Sequence, residues 1–372
     1  MADATTRTDA VDDDAATKAV VESEQEDLRS FVRGLTGDDV KTGGWFTKLI
    51  AHALTSYTTK VNAAYFQERY EGVPVDAIVE QRIKMAANYA ALEGGLSAGA
   101  YTGAVATTIG TVGGASPLTV PAAVATVLVD VAFLTQLQLR LAYDISVLYR
   151  VPIDINDPDD LWKLIRVAFT IKGGELAKDG ALKVVPAAVR PLVRAFIKGP
   201  ALKAVKGLPF VGKFLLQRNI IKIGIPLVGV PLAVLLNRYT TLVAGRHARA
   251  VFRNDARILQ MASSLSKSTK HPQLLLWVTW LMINADGKSS DDETQLMRHV
   301  VRTVRTDHDV VDSELAEVIE LTQQDVWDRL DAEAGDMSDL IAAAEAVASV
   351  DGDFNARERR VLEELRQRFG KR

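Results

Sequence analysis

The sequence predicts an all-α protein, a glycine-rich helical domain followed by a smaller helical-repeat domain. Three observations carry that reading. Apolar residues recur with a helical period, as at Val75, Ile78, Val79, Ile83, Met85, Ala86 and Tyr89. No run of residues alternates with the two-residue period of a half-buried strand. Near the C-terminus, Asp286-Gly287 with Glu293 recurs as Asp351-Gly352 with Glu358, 65 residues later.

Taken in order, residues 1–27 are mostly Ala, Asp, Thr and Glu without a periodic apolar face, and read as a disordered acidic tail. A helical pattern starts at Leu28 and breaks at Gly43-Gly44. A second break, Gly72-Val73-Pro74, precedes a helix over Val75–Leu92. Ser116-Pro117 and Pro121 bend the chain before a long helix, Ala122–Tyr149. Asp157-Pro158-Asp159-Asp160 is a helix start: a capping Asp, Pro at the first helical position, then acids at the positive end of the dipole. That helix runs to about Lys172, before Gly173-Gly174. A basic helix covers roughly Tyr239–Met261 and a polar linker follows. The predicted division is therefore 1–27 tail, 28–262 helical domain, 263–271 linker and 272–372 second helical domain.

Within the last domain each copy of the repeat places an apolar helix, Leu274–Ile283 or Leu340–Ala348, before the Asp-Gly pair. Ser290 or Asn355 stands three residues before the Glu, the spacing of a capping box. Each unit reads as helix, tight turn, helix.

Composition removes several function classes. The 372 residues include no cysteine, which excludes disulfide scaffolds, zinc-thiolate sites and thiol nucleophiles and suits a reducing compartment. The start of the chain lacks a charged-then-apolar signal pattern, so export by that route is not expected. A net charge of -3 hides strong segregation. Residues 1–28 carry -7, residues 183–257 carry +13 and residues 285–372 carry -10. Such a distribution speaks of partners, not of fold.

Two apparent catalytic motifs fail on context. Gly95-Leu96-Ser97-Ala98-Gly99 spells a nucleophile elbow, but no strand leads into it. The stretch from Gly207 to Lys213 almost spells a P-loop, yet Phe214 stands where a Ser or Thr must hold magnesium. The five histidines, His52, His247, His271, His299 and His308, have no ligand spacing. No catalytic residue is assigned.

Residues 94–129 are 36 consecutive positions without a charge. Gly95, Gly99 and Gly103 stand four apart, and Gly110 and Gly114 repeat the spacing, so each set lines one helix face and admits a second backbone. The stretch either enters a bilayer as a helical hairpin or packs as a soluble core. Its Gly, Ala, Thr and Ser content and Asp130 count against full insertion. Basic residues downstream, among them Arg190, Arg194, Lys198, Lys203, Lys206 and Lys213, alternate with apolar clusters and fit an anionic lipid surface. Too few aromatics are interleaved for a nucleic-acid reader, and no nucleic-acid partner is expected.

Polar residues on the long helix form a further set: Asp130, Gln136, Arg140 and Asp144, the last three at i, i+4 and i+8. They fix helix register by mutual bonding or mark a site. At the C-terminus, Asp351, Asp353, Asn355 and Glu358, with Asp286 and Glu293 in the first copy, are candidate ligands for a divalent cation, calcium or magnesium. An EF-hand loop wants Gly and Glu where Ala356 and Leu362 stand, and Lys288 replaces the second carboxylate of the first copy. The alternative for both loops is structural, Gly for the turn and capping residues for the next helix.

Residues about 75–262 resemble the EcsC family. The resemblance rests on the glycine-rich stretch, on the run from Asp130 to Arg140, and on Asp154 to Asp160 before a helix. Ile225-Pro226-Leu227-Val228-Gly229, Asn237 and the Ala248/Arg249 helix complete it. Residues about 272–372 resemble the TerB-like (tellurite-resistance) domain. That likeness is carried by Asn284-Ala285-Asp286-Gly287 with Glu293 and Val350-Asp351-Gly352-Asp353 with Glu358. The first resemblance implies a bacterial protein encoded beside an ABC transporter linked to secretion, from a family for which no catalytic activity is established. The second implies metal binding and a stress response near the membrane.

The expectation is a non-enzymatic protein at the cytoplasmic face of the cell membrane, peripheral or partly inserted. Its basic middle meets the anionic leaflet and its acidic domain recruits a membrane protein or transporter, or senses a cation. Two other readings stand beside it: a soluble adaptor whose basic and acidic domains pair, and a metal-dependent enzyme using Asp351, Asp353 and Glu358.

Overall fold

Helix Ala122–Leu148 is apolar on almost every side, and such a helix has to be surrounded. The computed structural model describes residues 3–108, 122–170, 229–285, 287, 290–312, 321–333, 335–352 and 354–370. Among them the chain is all-α, with no strand. The helices are α1 (Asp3–Arg33), α2 (Gly37–Thr42), α3 (Gly44–Lys60), α4 (Ala63–Arg69), α5 (Val75–Thr108), α6 (Ala122–Leu148) and α7 (Pro158–Ala168). After these come α8 (Gly229–Ser268), α9 (Pro272–Ile283), α10 (Asp291–His308), α11 (Gln323–Ala332), α12 (Ser338–Ala348) and α13 (Ala356–Phe369). The chain forms two compact units, Met1–Phe252 and Arg253–Arg372.

In the first unit α6 is central and packs against α1, α3, α4, α5 and α7. Helices α5 and α6 run antiparallel, since Asp76 and Arg82 near the start of α5 bond Tyr149 and Asp144 at the end of α6. Leu128, Leu139 and Ile145 of α6 are fully buried, as are Trp45, Phe46, Leu49 and Leu54 of α3. The first part of α8 lies against α5: Asn237 donates to Glu93 at 3.1 Å and Arg249 to Glu80 at 3.4 Å. Gly245 makes the close approach. A methyl group there would lie 2.9 Å from Ile83 Cγ1 and 3.1 Å from Leu141 Cδ2, so only hydrogen fits without a shift.

In the second unit α9 is the hub, contacting α10, α11, α12 and α13. Its Leu275, Trp277, Val278 and Leu281 fill the core with Leu296, Val326, Leu340 and Leu365. The predicted doubling holds. Helices α9 and α12 each lead through a glycine at positive φ, Gly287 (73°) and Gly352 (80°), into a capped helix, α10 or α13.

Several boundaries differ from expectation. Residues 3–27 belong to helix α1, not to a disordered tail, and Val21, Gln25, Leu28 and Val32 are buried. Their helical spacing places them on one face of α1. The predicted linker is helical up to Ser268, and the units divide at Phe252/Arg253, not near residue 262. Helix α5 continues past Leu92 to Thr108, so Gly95, Gly99 and Gly103 lie on it. Asp157 caps α7 as predicted, accepting from the amides of Asp159 (2.9 Å) and Asp160 (3.1 Å), but that helix stops at Ala168. Gly110, Gly114, the Ser116-Pro117 bend, Arg190, Arg194, Lys198, Lys203, Lys206, Lys213, Asp286 and Asp353 lie outside the described residues. Among those that are described, no helix is long and apolar enough to cross a membrane.

Candidate functional site

Three of the four polar residues singled out on α6 converge on one cavity, of about 170 Å³, between α1, α3, α5 and α6. Their spacing puts Gln136, Arg140 and Asp144 on one stripe of α6, and each finds its partner on another helix. Asp144, nearly inaccessible, accepts from Tyr57 Oη of α3 at 2.7 Å and from Arg82 Nε of α5 at 3.0 Å. Arg140 donates through Nε to the Ala53 carbonyl (3.1 Å) and through Nη1 to Glu24 of α1 (2.9 Å). Its guanidinium lies 4.9 Å from the centre of the Tyr57 ring. Gln136 Nε2 also donates to Glu24. Asp130 is half-buried earlier on α6 and is not among the residues lining the cavity.

The electrostatics follow from depth. Burial is the largest influence on Asp144 and pushes its carboxyl above the usual range, against the pull of Arg82 and the Tyr57 hydroxyl. For Arg82 burial is the largest influence and acts the other way, but Asp144, with Tyr57 and Tyr70, together outweigh it and hold the guanidinium more firmly charged than usual. Burial, reinforced by Asp144, raises the Tyr57 phenol, which therefore stays a neutral donor. The inner half of the cluster is thus a closed ion pair. Its outer half, Glu24 with Arg140, is about one-third and one-fifth exposed and borders the cavity. Apolar side chains form the rest of the wall, including Val21, Met85, Phe133, Leu137 and Leu141.

Glu24, Tyr57 and Arg82 were not singled out from the sequence. Arg82 carried a signal: it stands on the apolar stripe Ile78, Val79, Arg82, Ile83, Ala86, a position where a cation calls for a buried partner. Tyr57 likewise continues the buried face Leu49, Ile50, Ala53, Leu54 of α3, three and four residues beyond Leu54 and Ala53.

The C-terminal loops are built as capped turns. Ser290 accepts from the Glu293 amide at 3.2 Å while Glu293 accepts from the Ser290 amide at 2.7 Å. Asn355 and Glu358 repeat the exchange at 3.1 and 2.8 Å. Both glutamates are buried. Asp351 is exposed at the turn of the second copy. Among the described residues, no three His, Asp or Glu side chains are grouped closely enough to hold a metal ion.

A third feature lies on α8. Leu235, Tyr239 and Val243, at i, i+4 and i+8, are exposed on one face together with Arg238 and Arg246. The opposite face carries the buried Thr241, Ala244, Ala248 and Phe252.

No family model matches the chain, nor does any curated protein or solved structure.

Proposed function

We propose that this chain is a non-enzymatic protein that attaches to an anionic membrane surface, at the cytoplasmic leaflet, through its basic middle segment. One observation carries the proposal: the exposed stripe Leu235, Tyr239, Val243 of α8, with Arg238 and Arg246 on the same face. An apolar stripe edged by cations is what a helix lying in a headgroup layer requires, and a tyrosine ring suits that depth. The stripe falls within residues 183–257, which carry +13. Each basic residue near an anionic surface adds about 1 kcal/mol, so cations and apolar contact together support attachment that neither supplies alone. The acidic C-terminal unit then stands as the part that recruits a membrane-protein partner or responds to a divalent cation. The likenesses to the EcsC and TerB-like families point the same way.

Flotation of the full chain with vesicles tests the reading. It predicts co-flotation with phosphatidylglycerol-containing vesicles in dilute buffer, release by salt, and no flotation with neutral phosphatidylcholine. A chain that stays in the bottom fraction with anionic vesicles at low salt overturns it.

A further inference from the structure

We infer that the cavity between α1, α5 and α6 is a binding site for a small organic acid, whose carboxylate takes the place that Glu24 occupies on Arg140 and Gln136. This stands independently of membrane attachment. Arg140 is held by groups other than Glu24: its Nε is fixed on the Ala53 carbonyl and its plane is set against the Tyr57 ring. Asp144, the nearest alternative carboxylate, has its two oxygens committed to Tyr57 and Arg82. Removing Glu24 would therefore leave an arginine Nη held in place beside the buried Gln136 amide, a set of donors for an anion. Glu24 fills it as an internal carboxylate, yet from the rim, about one-third exposed, where water competes for it.

Beyond that point lies apolar space, and its size sets the ligand class. A cavity of about 150 Å³ accommodates benzene in another protein. The cavity here, of about 170 Å³, takes one ring or a chain of comparable bulk, against Met85, Phe133, Leu137 and Leu141. An apolar body with one carboxylate matches both halves of the site: the body displaces water from the wall and the charge pairs with Arg140.

Calorimetry or ligand-observed NMR on the full chain with phenylacetate, and with neutral phenylacetamide of the same shape, tests this. Glu24→Ala removes the internal competitor and keeps a good helix former on α1. It is expected to tighten phenylacetate binding by about tenfold or more and to leave phenylacetamide unchanged. Adding Leu137→Trp fills the cavity without touching a charged group, and is expected to abolish that binding. The inference is overturned if Glu24→Ala binds phenylacetate no more tightly than the parent chain. It is equally overturned if the amide gains as much as the acid, or if Leu137→Trp leaves binding intact.

Discussion

Arg82 and Asp144, 62 residues apart in the chain, meet as a two-pronged ion pair: Nε and Nη2 of the guanidinium both donate to Oδ2, while Tyr57 donates to Oδ1. The pair joins α5 to α6 at depth, where a charge left alone is costly. Asp144→Ala strands the Arg82 guanidinium and is expected to destabilise the first unit by about 3–5 kcal/mol. Arg82→Met with Asp144→Leu removes both charges and should recover most of that loss. Denaturant unfolding of the two variants measures the difference.

The two capping boxes give a matched pair of tests. Glu293→Ala and Glu358→Ala each release one end of a helix, α10 or α13, and each should cost the second unit about 1 kcal/mol, read as a lower Tm. The glutamine variants keep an acceptor for the Ser290 or Asn355 amide and should cost less.

Acid sensitivity of the second unit is expected at Asp339. Burial acts to raise its carboxyl, but the Lys270 amide (2.7 Å), the Thr269 hydroxyl (2.9 Å) and His271 outweigh it and hold it below the usual range. A carboxyl lower in the folded than in the unfolded state stabilises above the unfolded value and loses that contribution as pH falls through the folded one. Asp339→Asn should therefore lower Tm at neutral pH. The gap to the parent chain should narrow as the pH drops below the ordinary aspartate value of 3.8. Thermal melts across an acid series check the sign.

Gly245→Ala should destabilise the first unit by about 1–3 kcal/mol, because the added methyl meets Ile83 and Leu141 side chains that are themselves packed. Ile83→Ala removes both γ carbons that the methyl would meet, so the double variant should lose less than the sum of the two single losses in the same denaturant assay.

For the α8 stripe, Leu235→Glu with Tyr239→Glu changes the exposed face and leaves buried Ala244, Ala248 and Phe252 alone. Its circular dichroism should match the parent chain, while the fraction floating with phosphatidylglycerol vesicles should fall at least about tenfold, as expected when two apolar contacts become anionic.

What the sequence makes legible here is local chemistry. The Asp157-Pro158 start of α7 and the caps at Ser290 and Asn355 are each written within four residues, and each stands as read. Gln136, Arg140 and Asp144 are legible as a stripe for the same reason. Their partners are not: Glu24, Tyr57 and Arg82 come from three other helices, and spacing along one helix says nothing of who packs beside it. Helix α1 was hidden by its acids. Its apolar contribution is a narrow line, Val21, Leu28 and Val32 with Gln25 among them, too thin to outweigh a composition that otherwise reads as solvated.

That narrow line bears on how the protein can be handled. A shortened version beginning at Leu28, the natural choice for anyone trimming an acidic leader, would strip Val21 and Gln25 from their seats and deprive Arg140 of its carboxylate. The newly bared greasy groove along α6 would favour clumping during expression, and material purified that way would misreport both the solubility and the ligand preferences of the intact chain.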